Sequence, residues 1–223
     1  MLKPLENLVA AALMEDVGQE DVTTNSVVDS ELRCRARLYA KQAGVLSGMK
    51  PFRAAFDLME ADAADWSGLE DGTAFAKDDL IASFTGWTRA VLTAERTAMN
   101  FLQHLSGVAT LTRRYVNAIA GTGAVILDTR KTTPGLRILE KYAVLCGGGQ
   151  NHRLALWDMY LVKDNHIRAA GGVTAALERI LRTRQGDLLL EVEVESPDQL
   201  REDRKSTRLN SSHSDRSRMP SSA

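Results

Sequence analysis

The sequence predicts an α/β protein whose first part is mixed α+β and whose second part contains a parallel sheet. Helical and alternating apolar patterns fill the first half of the 223-residue chain. After Gly123, short apolar segments recur roughly every 30 residues with helical patterns between them, which is typical of βαβ units. Each of these segments ends in a polar cluster. Such a sheet is either doubly wound or a barrel, and three strands that feed one mouth favour a barrel.

The first part begins with an amphipathic helix. Apolar residues recur at helical spacing over residues 4–16, and Gly18 predicts the end of the helix. Basic and apolar residues then alternate from Arg33 to Lys41, which predicts a half-buried strand. We expect a second strand at Val45–Leu46, and Pro51 suits the first turn of the helix that follows.

A strand and a long helix close the first part. Residues 80–84 have a strand pattern, which Thr85-Gly86 is expected to end. Thr88 is placed to cap a helix that runs to about Thr110, and a further helical stretch reaches Ala120. We expect this helix to join two domains.

Three short apolar segments in the second part are predicted to be strands: Ala124–Leu127, Met159–Val162 and Leu188–Val192. In parallel α/β folds the carboxyl ends of the strands open onto the active site. The residues that directly follow these strands are therefore the candidate functional residues.

Cations at the ends of these strands predict a site for a highly charged anion. Five of them are expected in loops or at strand ends, where they can converge: Arg130, Lys131, His152, Arg153 and Lys163. Arginine has a planar fork that matches carboxylate or phosphate, whereas lysine is a point charge suited to phosphate or a developing oxyanion. The presence of both predicts two kinds of anionic group. For any one of these residues, the alternative is a solvated basic face.

Glycines and carboxylates supply two further candidate features. The loop Cys146–Arg153 contains three glycines, which let the backbone approach a ligand, although its spacing fits neither a P-loop nor a dinucleotide site. Glu191, Glu193 and Glu195 alternate and are expected to share one strand face, where they could bind Mg²⁺ or sugar hydroxyls. For Glu191 and Glu195, salt bridges to nearby Lys and Arg are the alternative.

Composition predicts a soluble, globular, cytoplasmic protein. The chain is 44% hydrophobic and 26% charged, with a formal net charge of −1. It has no apolar run of the roughly 18 residues that cross a bilayer, and its first residues lack a signal-peptide pattern. A net charge near zero argues against nucleic-acid binding over the whole surface. Cys34 and Cys146 have no metal-binding spacing, so we expect two small buried side chains.

The sequence changes abruptly at Arg204. Residues 204–223 contain seven Ser, five Lys or Arg and one Asp, which predicts a disordered tail. We interpret it as non-native, out-of-frame or adapter-derived sequence, because the change falls just after a strand and the start of a helix. A basic tail for nucleic acid or membrane is the alternative. The domain before it is then cut short, and its open strand edges predict an unstable or aggregation-prone chain.

Four segments together resemble the quinolinate phosphoribosyltransferase family, the carboxylating nicotinate-nucleotide pyrophosphorylases: Ala94–Thr110, Asp128–Arg137, Gly147–Arg153 and Val162–His166. The resemblance covers residues 4–202. It implies an N-terminal α/β sandwich with a linking helix in residues 1–110, and an open α/β barrel, here incomplete, in residues 111–203. It also implies a homodimer in which the sandwich of one subunit covers the barrel mouth of the other.

The resemblance also implies a reaction and the residues that perform it. Quinolinate and phosphoribosyl pyrophosphate would react with Mg²⁺ to give nicotinate mononucleotide, pyrophosphate and CO₂, in NAD biosynthesis. The implied roles are carboxylate binding by Arg130, His152 and Arg153, catalysis beside the pyridine and phosphoribosyl groups by Lys131 and Lys163, contact with ribose or Mg²⁺ by Glu193, and entry of Arg96 into the neighbouring subunit's site.

The sequence departs from the family after residue 203. There the family supplies a further acidic residue and a glycine-rich phosphate-binding region, and this chain has the Ser/Arg tail instead. Two alternatives therefore stay open. One is an inactive fragment that binds a dicarboxylate without turnover, and the other is a paralogue that acts on another heteroaromatic acid.

Overall fold

The computed structural model describes residues 4–184, 186–208 and 216–218, with side chains over residues 5–184 and 186–203. Contacts divide the chain into two compact units, Met1–His152 and Arg153–Ala223. The first unit contains α1 (Pro4–Val17), α2 (Val22–Val27), β1 (Arg33–Tyr39), β2 (Gly44–Val45), α3 (Met49–Leu58), β3 (Ala64–Gly68), β4 (Ala74–Phe75), β5 (Leu80–Trp87), α4 (Thr88–Ala118) and α5 (Arg137–Cys146). The second contains β6 (Tyr160–Val162), α6 (Asp164–Ala170), α7 (Val173–Thr183), β7 (Leu190–Glu193), α8 (Pro197–Arg208) and β8 (Arg216–Arg218).

An antiparallel sheet with the strand order β1-β5-β3 forms one layer of the first unit. The alternation predicted for β1 is confirmed, because Cys34, Ala36 and Leu38 pack against the core while the residues between them are exposed. Helix α3 and part of α4 contribute to the same core, in which Trp66 stacks on Phe84 with ring centroids 4.1 Å apart.

Two predictions about the start of α4 are wrong. Strand β5 does not end at Thr85-Gly86 but continues to Trp87. Gly86 serves close packing within the strand, since a Cβ there would lie 2.9 Å from the carbonyl oxygen of Ala61. Thr88 does not cap the helix: Trp87 holds the N-cap position without a side-chain bond, and Thr88 Oγ1 is buried with no hydrogen-bond partner in the described part of the chain.

Helix α4 is one continuous helix of 31 residues and includes the predicted further stretch. It passes through residue 110, where the sequence predicts a domain boundary, and it packs against both α3 and α5. Helix α5 rests on α4, and the division by contacts falls after His152, whereas the predicted domain boundary at residue 110 stays a prediction. Both cysteines are free and only half-buried, so they are more exposed than predicted.

The strand predicted at Ala124–Leu127 is wrong. Leu127 makes a single parallel bridge with Gln150, flanked by hydrogen bonds from Gln150 N to Ile126 O (2.9 Å) and from Asp128 N to Gln150 O (3.1 Å). The backbone ladder stops there, because the N–H of His152, which would make its next bond, donates to the side chain of Asp128.

The βαβ pattern of the second unit is confirmed. Strands β6 and β7 pair in parallel with Val162 opposite Val192, and α6 and α7 connect them. Val162 and Val192 are buried together with Val173 and Leu177 of α7. The α/β fold class is therefore as predicted.

Part of the predicted disordered segment 204–223 is regular in the structure. Residues 204–208 lie in α8, and β8 pairs in parallel with β7, whose second edge can accept another strand. The rest of the segment lies outside the described residues, and the non-native origin of the tail stays a prediction. Within the described residues, no helix combines the length and apolarity that a membrane span needs.

Candidate active site

Two predicted site residues meet at adjacent strand ends in the second unit. The pairing of Val162 with Val192 places Lys163 and Glu193 side by side at the carboxyl ends of β6 and β7. Lys163 Nζ lies 3.4 Å from Glu193 Oε1, and both side chains are partly exposed. A cation and a carboxylate at the open end of a parallel sheet can contact a charged, hydroxyl-bearing ligand.

The other two glutamates of the predicted row lie in different surroundings. Glu191 is buried within β7, with only 6% of its surface exposed. Glu195 lies beyond the end of β7, is exposed, and its backbone N–H donates to Gln199 Oε1 at 2.7 Å. The prediction that all three share a strand face is wrong, because β7 ends at Glu193. Only Glu193 combines a strand-end position with partial exposure.

His166 holds the backbone beside Lys163. The N–H of Lys163 donates to His166 Nδ1 at 3.0 Å, so the histidine closes the first turn of α6. This contact fixes the point at which β6 passes into the helix. His166 therefore positions the backbone of Lys163.

A carboxylate organises the loop that follows Arg153. Asp158 accepts hydrogen bonds from the backbone N–H groups of Leu154 (2.6 Å) and Ala155 (2.9 Å). Burial raises the pKa of Asp158, but these two bonds and the positive charge of Arg153 outweigh burial and hold the pKa below its ordinary value of 3.8. Arg153 Nη1 donates to the carbonyl of Met159 at 3.4 Å. The loop is therefore fixed on both sides of its tip.

In the first unit, Asp128 and Lys141 form a buried ion pair that bonds the backbone of His152. Lys141 of α5 bonds the carboxylate of Asp128, and the two side chains are 2% and 7% exposed. The N–H of His152 donates to Asp128 Oδ1 at 2.8 Å, and Lys141 Nζ donates to the carbonyl of His152 at 3.1 Å. With its amide oriented to suit its neighbours, Asn151 donates to Asp128 Oδ2 at 2.7 Å. These contacts join the residues after Leu127 to the loop that ends at His152.

The loop that carries Arg130 and Lys131 is held from α5. Glu140 Oε2 accepts the N–H of Thr133 at 3.1 Å, while Glu140 Oε1 lies 2.8 Å from His104 Nε2. Lys131 is exposed, and Arg130 is half-buried. The Nε of Arg130 is buried and has no hydrogen-bond partner among the described side chains and backbone groups.

The structure gives the three glycines before Gln150 a packing role. A Cβ on Gly147 would lie 2.5 Å from the carbonyl oxygen of Ala109 and 2.5 Å from Thr112 Cβ. Gly148 has a positive φ of 89°, which glycine adopts at low cost. Arg113 of α4 donates to the Gly147 carbonyl at 2.8 Å. These residues bring the end of α5 onto α4, so close packing explains them without a ligand.

Arg96 is exposed on α4 in the first unit. The next residue, Thr97, is buried and lines a cavity of about 330 Å³ with Asp16 and His104. Thr97 Oγ1 donates to Asp16 Oδ2 at 3.4 Å. The acidic lining of this cavity does not suit an anion, so the Arg96 side chain, and not this cavity, is the feature that could serve an anionic substrate.

Among the predicted site residues, the structure shows Lys163 and Glu193 in contact, and it adds residues that the sequence analysis did not select. Asp128, Lys141 and Asn151 hold His152, and Glu140 holds the Arg130 loop. One signal in the sequence could have indicated Lys141, namely its helical spacing from the apolar residues Ile138, Val144 and Leu145. Nothing in the local pattern indicates that Asp128 would bind the backbone of residue 152.

Comparisons with known proteins agree with the predicted family. The model of the quinolinate phosphoribosyl transferase N-terminal domain matches residues 21–106, and that of the C-terminal domain matches residues 108–207. A probable carboxylating nicotinate-nucleotide pyrophosphorylase of Bacillus subtilis is 39% identical over 198 residues, which are 89% of this chain and 68% of that protein. The corresponding Synechocystis protein is 40% identical over 85% of this chain and 64% of its own length.

Solved structures give the same result. The crystal structure of NadC from Streptococcus pyogenes is 41% identical, with a TM-score of 0.86 over 92% of this chain and 74% of that one. The nicotinate-nucleotide pyrophosphorylase from Francisella tularensis is 34% identical, with a TM-score of 0.86 over 92% of this chain and 73% of that one. The chain therefore spans about two thirds to three quarters of these relatives.

Proposed function

This chain belongs to the quinolinate phosphoribosyltransferase family, and from that premise we propose that it transfers a phosphoribosyl group from phosphoribosyl pyrophosphate to quinolinate. The products would be nicotinate mononucleotide, pyrophosphate and CO₂. The observation that carries the proposal in the structure is the pair Lys163 and Glu193 at the ends of two adjacent parallel strands. Its charges suit a substrate that has both phosphates and ribose hydroxyls.

Quinolinate has two adjacent carboxylates, and the arginines are proposed to bind them. The unpartnered Nε of Arg130 supports this role, because a carboxylate can accept from Nε and a terminal nitrogen of the same fork. Arg153, beside the Asp158-fixed loop, and His152, held by the buried ion pair, are proposed to complete the dicarboxylate site. Fixed donors orient the pyridine nitrogen toward the ribose carbon, which lowers the entropic cost of the transfer.

The lysines are proposed to act on developing charge. As pyrophosphate leaves, negative charge grows on its oxygens and the ribose becomes oxocarbenium-like. Lys131, which is exposed, and Lys163, at the strand end, can stabilise the departing phosphates, while Glu193 can contact a ribose hydroxyl. After transfer, CO₂ leaves and its bonding electron pair stays on the ring carbon beside the positive nitrogen, which stabilises it until a proton from solvent bonds to that carbon in place of CO₂. The chain has to hold that ring in place and supply no base.

Magnesium is proposed as the metal of the reaction. The described residues contain no group of three or more His, Cys, Asp or Glu side chains that could hold a metal ion. Mg²⁺ commonly binds one or two carboxylates and takes its other ligands from substrate phosphates and water. Glu193 can supply such a carboxylate. When bound, the ion would neutralise charge on the pyrophosphate leaving group.

The decisive assay supplies the chain with quinolinate, phosphoribosyl pyrophosphate and Mg²⁺, and detects nicotinate mononucleotide by chromatography. We expect equal amounts of nucleotide and CO₂, and no nucleotide when Mg²⁺ is chelated. Binding of quinolinate without turnover would contradict the proposal and favour the non-catalytic alternative. Better turnover with another heteroaromatic acid would favour a paralogue. The cytoplasmic location stays a prediction.

We also propose a homodimer in which Arg96 of each subunit serves the other subunit's site. The exposed position of Arg96 in the first unit supports this proposal. Arg96→Ala and Arg130→Ala chains would each be inactive alone. After unfolding and refolding together in equal amounts, half of the dimers would be mixed and would contain one intact site, so that about a quarter of the wild-type activity returns. No recovery would show that Arg96 acts within its own subunit, and an Arg96→Ala chain that is active alone would show that Arg96 has no role.

A further inference from the structure

The buried pair of Asp128 and Lys141 binds both backbone groups of His152. Its carboxylate accepts the His152 N–H at 2.8 Å, and its ammonium group donates to the His152 carbonyl at 3.1 Å. Both side chains are more than nine-tenths buried. Water therefore solvates neither charge, and the pair is not a surface salt bridge.

The pair lies where the backbone ladder between the two segments ends. Leu127 and Gln150 form its only bridge in this part of the described chain, and Asp128 N donates to Gln150 O at 3.1 Å. One residue further along, the Asp128 side chain continues the ladder in place of a backbone carbonyl. Asn151 reinforces it with bonds to Asp128 Oδ2 (2.7 Å) and Lys141 O (2.9 Å).

Stability alone does not account for this arrangement. Removing two charges from water costs free energy, and well-packed apolar residues at such positions stabilise a fold equally well or better. Apolar side chains, however, could not bind an N–H and a C=O of the same residue. The ion pair supplies one acceptor and one donor at the spacing that His152 requires.

We propose that Asp128 and Lys141 are positioning residues for the dicarboxylate substrate. They set the distance between the segment that carries Arg130 and the segment that carries His152, and so determine how well two adjacent carboxylates fit. The inference rests on the proposed function of the site. It assigns a role in substrate binding to two residues that do not touch the substrate themselves.

The test uses a pair of variants of the full chain. Lys141→Met removes the ammonium group and leaves the Asp128 carboxylate buried without its cation, so this variant can be unstable. Asp128→Asn combined with Lys141→Met removes both charges, keeps a side-chain oxygen for the His152 N–H and fills the space of the lysine stem. The matched control is Arg182→Met, which breaks an exposed i,i+4 pair with Glu178 in the second unit.

We expect the double variant to melt close to the wild-type temperature and to need about tenfold or more quinolinate for half-maximal rate. Its KM for phosphoribosyl pyrophosphate should change less than about twofold, because that substrate does not use the contacts that bind the two carboxylates of quinolinate. The Arg182→Met control should leave both KM values unchanged. A double variant with a wild-type KM for quinolinate would show that the pair does not position the substrate site and would overturn the inference.

Failure of the proposed function is visible separately, in the wild-type chain. If wild type binds quinolinate in calorimetry but forms no nucleotide, the proposed function is wrong, and the Kd for quinolinate then replaces KM in the same comparison. A weaker Kd in the double variant would support the positioning role, and an unchanged Kd would overturn it. Wild type that neither binds nor converts quinolinate would refute both proposals.

Discussion

At the scale of single residues, Glu140 couples the Arg130 loop to α4. Burial raises the pKa of Glu140, but hydrogen bonds from Thr133 and His104 and the charge of His104 outweigh burial, so its pKa lies below the ordinary value of 4.5. A carboxyl with a lowered pKa in the folded protein stabilises the fold fully above its unfolded pKa, and this contribution is lost as pH falls through the folded pKa. Glu140 therefore contributes most to stability at neutral pH.

We expect Glu140→Gln to lower the free energy of unfolding at pH 7 by about 1–3 kcal/mol. The difference from wild type should shrink as pH falls below 4.5, because the wild-type carboxyl becomes protonated there. Urea unfolding at a series of pH values measures it. Glu178→Gln, in an exposed pair, is the control and should change little. A pH-independent difference would mean that shape and not charge accounts for the effect of Glu140.

Arg130→Lys tests whether the arginine fork binds a substrate carboxylate. Lysine keeps the positive charge but loses the Nε donor, which has no partner in the structure. We expect the KM for quinolinate to rise by about 10- to 100-fold, as for the loss of one charge-assisted hydrogen bond. Steady-state kinetics measure it beside Arg182→Lys, a surface replacement of the same kind. Equal KM values would exclude a bidentate role for Arg130.

The sequence identified cations that can bind a substrate but not the residues that hold them in place. Lys163 and Glu193 follow recognisable strands, so their meeting at a sheet edge could be predicted. Lys141 is buried with Asp128, which lies on another segment. A pattern along the chain does not record such a pairing.

At the scale of elements, the packing of α5 on α4 depends on Gly147. We expect Gly147→Ala to destabilise the protein by about 1–3 kcal/mol, because the new Cβ would overlap backbone and side-chain atoms of α4. Gly107→Ala is the matched control in α4 itself, where a Cβ meets nothing within 4 Å. That replacement should be neutral or stabilise by up to about 1 kcal/mol. Thermal and urea unfolding measure both, and equal effects would contradict the packing role.

Elements with a strong period were predicted well, and those that depend on a partner were not. The alternation in β1 and the spacing in α3 agree with the structure, because each buries one regular face. The apolar run 124–127 has the composition of a strand, but its ladder is completed by a side chain after a single bridge. A strand-like composition does not determine over how many residues a second segment pairs with it.

At the scale of the whole molecule, the two units have separate cores. Leu177 is buried in the core of the second unit, with 1% of its surface exposed. We expect Leu177→Ala to destabilise this unit by about 2–5 kcal/mol. Native-state hydrogen exchange should then show faster exchange in β6 and β7 and unchanged exchange in β1 and β5. Leu189→Ala, at a 45% exposed position, is the control. Equal acceleration in both units would show that they unfold together.

The compact units that contacts define differ from the domains predicted on either side of residue 110, and that boundary stays a prediction. The change from alternating to βαβ patterns correctly indicated an α/β chain with two different parts. The unit boundary by contacts lies after His152, because α4 continues past residue 110 and supports α5. The packing of α4 on both α3 and α5 cannot be recognised from the composition of the chain.

The unbroken course of α4 has a consequence for how the chain can change in length. His104 contacts α5, and Arg113 contacts the loop after it. Both residues lie in the same continuous helix, so their directions around the helix axis are fixed relative to each other and to the core. One residue inserted near Ala98 would rotate every later side chain by about 100°. Both contacts would then point away from their acceptors. Insertions in this helix are therefore tolerable only in whole turns, and its N-terminal end offers no loop to vary, because α4 follows β5 directly.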